Sequence, residues 1–226
     1  MAKRLFDIVA SAIGLVLAGP WIAIAAIGVR LSSAGSAFYC PRRVGRGGAS
    51  FTLYKLRTMH LGTGSKITAA GDNRVFPWGA LLRKFKVDEL PQLWNVLRGD
   101  MSLVGPRPED IDIVASAYGP LGYETLKVRP GLAGVSSLYN YTHGERILSQ
   151  SCDDTEHVYV ERLLPVKLAL EAIYIRRGSL VYDLRLIART LATIAWMLTG
   201  RTDFPEPPEM EAALALLREQ RIDRAA

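Results

Sequence analysis

The sequence predicts a helix-rich α+β protein held in one leaflet of a membrane, a monotopic arrangement, and three observations predict it. Residues 8 to 29 form a run of 22 positions without a charge, long enough for a membrane helix, which needs about 20. Cations flank that run on both sides, Lys3 and Arg4 before it and Arg30, Arg42, Arg43 and Arg46 after it, so both ends prefer the cytoplasmic face. Gly19-Pro20 interrupts its middle. A residue with no backbone donor beside one that bends freely is where a helix breaks most easily. The expected form is a re-entrant helix that enters the membrane, turns at Gly19 and Pro20, and leaves on the side it came from. A kinked spanning helix, a cleaved signal peptide and a core helix of a soluble domain compete with it. Pro20, directly after Ala18-Gly19, argues against cleavage, and the uncharged length argues against a soluble core helix.

At 226 residues the chain suits one domain with an anchor and a tail. The expected divisions are a membrane helix over 1–34, a cytoplasmic domain lying on the membrane face over 35–200, and a linker with a short amphipathic helix over 201–226. A net charge of +6 suits an anionic membrane face or phosphorylated substrates. Nucleic acid is disfavoured, because no basic helix, zinc-finger spacing or aromatic RNA-binding signature is present. Cys40 and Cys152 stand far apart, and His60, His143 and His157 have no ligand-like spacing, so neither a disulfide scaffold nor a thiol metal site is indicated.

After the apolar run, Ala37 to Cys40 and Phe51 to Thr58 read as two short strands joined through the glycine-rich turn RRVGRGG, a small β-hairpin. Phe51, Leu53, Lys55 and Arg57 then share one face, since strand side chains alternate. Two cations on one face can hold a phosphate or protect a solvated edge. Residues 60–76, rich in Gly, Thr and Ser, read as a loop. Trp78 to Lys86 reads as a helix, and a second helix is expected to start at Asp88 as N-cap, with Pro91 in its first turn and Gly99 at its end. Leu90, Leu93, Trp94 and Leu97 are its core face.

Residues 101–135 carry two stiff punctuation marks, Gly105-Pro106-Arg107-Pro108 and Arg129-Pro130-Gly131, read as rigid loops. Asp153 to Leu198 is mostly helical by pattern, with Val166, Leu170, Ile173 and Tyr174 on one stripe. Leu186 to Leu198 suits either the core or an interfacial helix on the membrane. Phe204 to Pro208 is the linker, and Glu209 to Arg221 an amphipathic helix available for self-association, hence a candidate homo-oligomer.

The chemistry centres on Asp88-Glu89. A carboxylate at a helix start near cations is held ionised and is a competent nucleophile, while its neighbour helps hold a hard divalent cation. Asp-Glu alone is more often a plain capping pair. Lys55, Arg57, Arg83, Arg107 and Arg129 change that reading, because guanidinium groups offer phosphate planar, paired donors. A carboxylate pair facing such cations is what phosphoryl transfer requires.

Four segments in order, KRLFDIVASAIGLVLAGPWIAIAAIGVRL, FTLYKLRTM, LLRKFKVDELPQLWNVLRGDMSLVGPRPE and VRPGLAG, resemble the bacterial sugar transferases, also called monotopic phosphoglycosyl transferases. The resemblance implies transfer of a sugar phosphate from a nucleoside diphosphate sugar, typically a UDP-sugar, to polyprenyl (undecaprenyl) phosphate on the cytoplasmic leaflet of the bacterial inner membrane. It implies Mg²⁺ as cofactor, release of a nucleoside monophosphate, and a covalent phosphosugar intermediate on Asp88, with Glu89 as its metal or proton-handling partner. The chain departs from the family after Gly131: it reads GLAGVSSLYNYTHGER, with Val135 where a tryptophan is usual. That departure falls at the nucleotide-sugar end of the site. A non-catalytic membrane adaptor of glycan assembly on the same scaffold is the alternative the departure allows; the intact Asp88-Glu89 pair argues against it.

Overall fold

The computed structural model describes residues 1–60, 62, 67, 71–149 and 155–225. Residues 61, 63–66 and 68–70 of the expected 60–76 loop, together with Cys152 and Asp153, lie outside the described residues.

Helix α1 (Ala2–Ser32) is the one helix among the described residues long and apolar enough to cross a membrane. Gly19 and Pro20 do not end it: helical backbone runs through both, with Pro20 inside the helix. Proline removes one backbone bond and crowds the preceding turn, which kinks a helix without having to terminate it.

Both ends of α1 pack on the same body. At the start, Arg4 donates to the carbonyls of Val96 (2.6 Å) and Leu97 (2.9 Å), Lys3 pairs with Asp183, and buried Asp7 accepts from the Leu103 amide at 3.0 Å. At the other end, Ala25 and Val29 join Leu56, Phe76 and Leu82 in a small core. Trp78 donates from Nε1 to the Ala25 carbonyl at 3.2 Å. That contact needs Gly28, where an added Cβ would lie 2.3 Å from the indole nitrogen. Between the two anchored ends, Val16, Leu17, Trp21 and Ile24 are exposed. Large apolar side chains left uncovered along one helix segment mark a surface that meets something other than water.

The expected hairpin is split into two antiparallel pairs. Strands β1 (Phe38–Tyr39), β2 (Arg42–Val44), β3 (Ser50–Thr52) and β4 (Lys55–Leu56) pair as β2–β3 inside and β1–β4 outside. Pro41, with no amide to donate, interrupts the first arm, though its carbonyl still accepts from the Leu53 amide at 2.9 Å. The tip passes through Gly47 (φ 69°) and Gly48 (φ 80°), left-handed conformations that glycine adopts without strain.

Helix α2 (Pro77–Lys84) ends where Lys86 turns left-handed (φ 56°), and Val87–Glu89 forms a single 3₁₀ turn before α3 (Gln92–Arg98). Asp88 is therefore not the N-cap of an α-helix, as its position before Pro91 led us to expect. It lies inside the tight turn that joins two helices. Gly99, also left-handed, closes α3 as expected.

The two expected rigid loops contain a feature that spacing alone conceals. Strand β5 (Ser102–Val104) pairs in parallel with β6 (Gly131–Ala133), Ser102 opposite Gly131. A Cβ on Gly131 would lie 2.0 Å from the Gly105 nitrogen, so this close approach demands glycine. The crossover between them holds α4 (Ile111–Ala117), capped by Asp110, and α5 (Pro120–Thr125).

Helix α6 (Val135–Tyr139) continues through a wide π turn at Asn140–Gly144 into α7 (Glu145–Ser149). Then α8 (Thr155–Val158) and a second π turn, Tyr159–Leu163, lead into α9 (Leu164–Arg177). Helix α9 is the centre of the main core: Leu164, Leu168, Leu170, Ala172 and Ile173 are buried with Val104, Val135 and Leu138 around them. Each fully buried large aliphatic side chain contributes about 1.5–3 kcal/mol.

Helix α10 (Leu180–Leu198) buries Leu186 but exposes Val181, Leu184, Leu191 and Trp196, so one face serves the core and the other is an outward apolar stripe. The final helix, α11 (Met210–Ala225), folds back on α9 and buries Met210 and Ala213 in the main core. Its leading residue Glu209 accepts from Arg189 and Tyr182 of α10, each at 2.7 Å. The apolar positions expected to serve self-association are thus used, in part, within the chain itself.

Candidate active site

A pocket of about 780 Å³ opens between the hairpin, the α2–α3 junction, the Gly105–Asp110 loop and the Asn140–Tyr141 turn. Its walls bring together Asp88, Glu89, Lys55, Arg83 and Arg107. The strand alternation that aims Lys55 inward comes from β4, and the left-handed Lys86 turns the chain so that both acids face the same space.

The two acids are in different electrostatic states. Glu89 accepts from Arg107 Nη2 at 3.3 Å. Burial works against its charge, but Arg107, Lys86 and Lys55 outweigh it and hold the carboxyl below its usual range. Asp88 is pushed up, to about 6, first by burial and then by the neighbouring charge of Glu89; Lys55, Lys86 and Arg83 only partly oppose this. The shift is opposite in direction to the one expected at a helix N-terminus, and a value of about 6 still leaves the carboxyl mostly ionised at neutral pH. The 3₁₀ turn supplies no such dipole, and burial dominates. One oxygen of Asp88, Oδ1, is buried with no hydrogen-bond partner, and a buried acceptor without a partner costs about 1–3 kcal/mol. Lys55, half-buried among these groups, is lowered to about 8, first by desolvation and also by Arg83 and Arg107, with Asp88 and Glu89 opposing.

The remaining expected cations are sorted by the fold. Arg83 lines the pocket and donates from Nε to Thr58 Oγ1 at 2.8 Å. Arg57 does not reach it: its guanidinium is buried against the carbonyls of Ala34 (2.6 Å) and Ser33 (2.7 Å), where it ties the end of α1 to β4. Shared strand parity placed it with Lys55, but the strand ends at Leu56 and parity ends with it. Arg129 also stands elsewhere, donating from Nε to the Gly99 carbonyl at 2.8 Å and lining a separate cavity beside Lys3 and Lys127. Neither residue is retained as a phosphate ligand of this pocket.

Residues that sequence reasoning missed complete the walls. Lys86 places its ammonium 3.7 Å from the Tyr141 ring centroid, a cation–π contact. Tyr141 and Asn140 come from the segment that departs from the family pattern, and the π turn directs both into the pocket. Behind them, Asn95 clamps the hairpin to α3: its Oδ1 accepts from the Tyr54 amide at 3.0 Å and its Nδ2 donates to the Thr52 carbonyl at 2.7 Å. The available signal was a polar residue inside an otherwise apolar helix face.

A hard divalent cation fits the donor set. Two adjacent carboxylates, one with a buried and unpartnered oxygen, are the oxygen ligands that magnesium takes. Among the described residues no group of three or more His, Cys, Asp or Glu stands together.

The family model described as bacterial sugar transferase matches residues 1–197. The chain is 39% identical over 199 residues to a UDP-glucose:undecaprenyl-phosphate glucose-1-phosphate transferase of Caulobacter vibrioides, covering 86% of this chain and 70% of that protein. It is 34% identical over 203 residues to a UDP-N-acetylgalactosamine-undecaprenyl-phosphate N-acetylgalactosaminephosphotransferase of Aeromonas hydrophila, covering 88% of this chain and 44% of that protein. It is 32% identical over 213 residues to the exopolysaccharide production protein ExoY of Rhizobium meliloti, covering 86% of this chain and 85% of that one. With an acid pair in a cationic pocket, an exposed apolar N-terminal helix and a match across most of its length, the chain belongs to the bacterial sugar transferase family.

Proposed function

We propose that the protein transfers a sugar phosphate from a nucleoside diphosphate sugar, a UDP-sugar by the printed activities of its relatives, to undecaprenyl phosphate. The observation that carries this is the Asp88-Glu89 pair, one acid paired with Arg107 and the other with a free buried oxygen, inside a pocket walled by Lys55, Arg83 and Lys86. The reaction would make the first membrane-bound intermediate of a glycan.

In the proposed mechanism Asp88 attacks the β-phosphorus of the donor. A carboxylate oxygen–phosphorus bond forms, the bond from that phosphorus to the bridging oxygen breaks, and nucleoside monophosphate departs with the electron pair. An oxygen of the lipid phosphate then attacks the same phosphorus, and Asp88 leaves as the carboxylate. Lys55, Arg83 and Arg107 offset the charge that builds on the phosphoryl oxygens, where most of the catalysis of such transfers lies. Asp88 and Glu89 would hold magnesium, which when bound supplies charge neutralisation at the diphosphate. Because nucleophilicity requires the ionised form, a bound divalent cation would favour the charged state of Asp88 that burial opposes.

The same reading places the protein in the cytoplasmic leaflet of the bacterial inner membrane. Both ends of α1 are bound to one domain, so a helix with its termini on opposite faces would have to give up one set of anchors; re-entry at Gly19-Pro20 keeps both. The exposed stripe of α10 lies on the membrane surface in this arrangement. Asn140 and Tyr141, in the segment that differs from the family, stand where the donor's nucleotide or sugar is read. Nucleoside monophosphate release from a panel of UDP-sugars, with undecaprenyl phosphate and Mg²⁺, tests the proposal and names the donor. No release from any donor, by protein that is folded and membrane-inserted, would overturn it.

A further inference from the structure

Helix α9 carries two charged residues one turn apart, Lys167 and Glu171, each only 3% exposed in a helix otherwise packed with Leu, Ala and Ile. Buried charges are retained only where they are paired, and both are paired to one loop. Glu171 Oε1 accepts from the Arg107 backbone amide at 2.8 Å and from the Ser136 hydroxyl. Lys167 Nζ donates to Glu109 Oε1 at 2.7 Å, and the Tyr159 hydroxyl donates to the same oxygen. The loop between them is Arg107-Pro108-Glu109, so α9 grips it on both sides of a proline that already restricts its backbone. Within that tripeptide it is Arg107 whose side chain pairs with the acid pair, its Nη2 meeting Glu89.

From this arrangement we infer that Glu171 is a positioning residue of the transfer reaction. It touches no substrate. By fixing the Arg107 backbone it sets where the guanidinium stands against Glu89, while Lys167 fixes the other end of the loop through Glu109. A single turn of α9 (i, i+4) matches the spacing of the two gripped residues, and the helix is anchored in the main core. Rigid support of this kind keeps an electrostatic group in place, where displacement of about 1 Å costs on the order of a hundredfold in rate.

The inference rests on the proposed function, and the test separates the two. Turnover is first measured for wild type and Asp88→Asn with donor, undecaprenyl phosphate and Mg²⁺. An inactive wild type defeats the functional reading before Glu171 enters. With wild type active, Glu171→Ala should lower turnover at saturating substrates by about tenfold to a hundredfold, the equivalent of leaving the buried Arg107 amide and Ser136 hydroxyl without their acceptor, with KM for the donor changed by less than roughly threefold. Glu171→Gln keeps an acceptor oxygen at the same reach and should recover most of that loss. The decisive comparison is the double variant: if Glu171 acts through Arg107, adding Glu171→Ala to Arg107→Ala should cost little more than Arg107→Ala alone. Losses that multiply, or a Glu171→Gln as impaired as Glu171→Ala, overturn the inference. Should Glu171→Ala fail to fold, Glu171→Asp takes its place in the same cycle, since it keeps the charge but shortens the reach to Arg107.

Discussion

Arg107 binds Glu89 at 3.3 Å while Asp88, the next residue back, keeps a buried oxygen with no hydrogen-bond partner. One cation thus distinguishes two adjacent acids. The partnered one is held ionised; the other is raised by burial and by its neighbour's charge. Environments that push two adjacent carboxyls apart assign them different roles.

The arginines should separate by function. Arg83→Ala and Arg107→Ala should each lower turnover by about tenfold to a hundredfold, from contacts of about 1.5–3 kcal/mol, with the thermal midpoint changed little by comparison. Arg57→Ala should do the reverse: its guanidinium holds two carbonyls at the end of α1, so the midpoint should fall first. Arg129→Ala should leave turnover within about threefold. Steady-state assays beside thermal unfolding in one detergent check all four. Equal activity losses across the set would contradict the sorting.

Stability should depend on pH through Glu171. Burial raises its carboxyl from 4.5 to about 7, against the opposing effects of Lys167 and Ser136. A carboxyl raised in the folded state adds stability that is complete below its unfolded value and is lost as pH rises through its folded one. Wild type should therefore lose on the order of 3 kcal/mol as pH rises from about 4.5 to about 7, with little further change above about pH 8. Glu171→Gln, which cannot ionise, should flatten that slope. Thermal midpoints of both proteins across the range provide the check, and parallel slopes would contradict it.

Topology is tested from the two ends of α1. Single cysteines at Ala2 and Ser36, in a Cys40→Ser, Cys152→Ser background, should label from the same side of the membrane with an impermeant reagent. Asp7→Ala removes the acceptor for the Leu103 amide and the Ser102 hydroxyl. It should loosen the N-terminal end and shift some molecules toward opposite-side labelling, as should Pro20→Ala. Opposite-side labelling in the parent protein would sink the re-entrant arrangement.

What could be read from the residues was what local pattern determines. The uncharged run, the acid pair among cations, the Gly99 stop and the mostly helical character of Asp153 to Leu198 each follow from composition or period within a short window. What escaped depends on contacts between distant segments. Arg57 and Arg129 share charge type with Arg83 and Arg107, and only the packing of α1 and the β5–β6 pairing decides which of them meets the pocket. The parallel pairing of β5 with β6 was hidden because both strands are three residues long and read as loop punctuation. Burial of Asp88, which reverses its expected shift, is a tertiary property with no local signature. Lys167 and Glu171 did leave a trace, as two charges one turn apart inside an apolar stripe.

The central claim is that Asp88 becomes covalently modified, and intact mass after incubation with donor and Mg²⁺ alone measures it most directly. The first half-reaction needs no lipid, so wild type should gain the mass of one sugar phosphate and release one nucleoside monophosphate per site, then stall until undecaprenyl phosphate is added. Asp88→Asn should gain nothing, while Glu89→Gln keeps the nucleophile and should gain the adduct slowly. An unmodified wild type, with a donor shown to turn over once lipid is present and with kinetics that require both substrates together, would contradict the account.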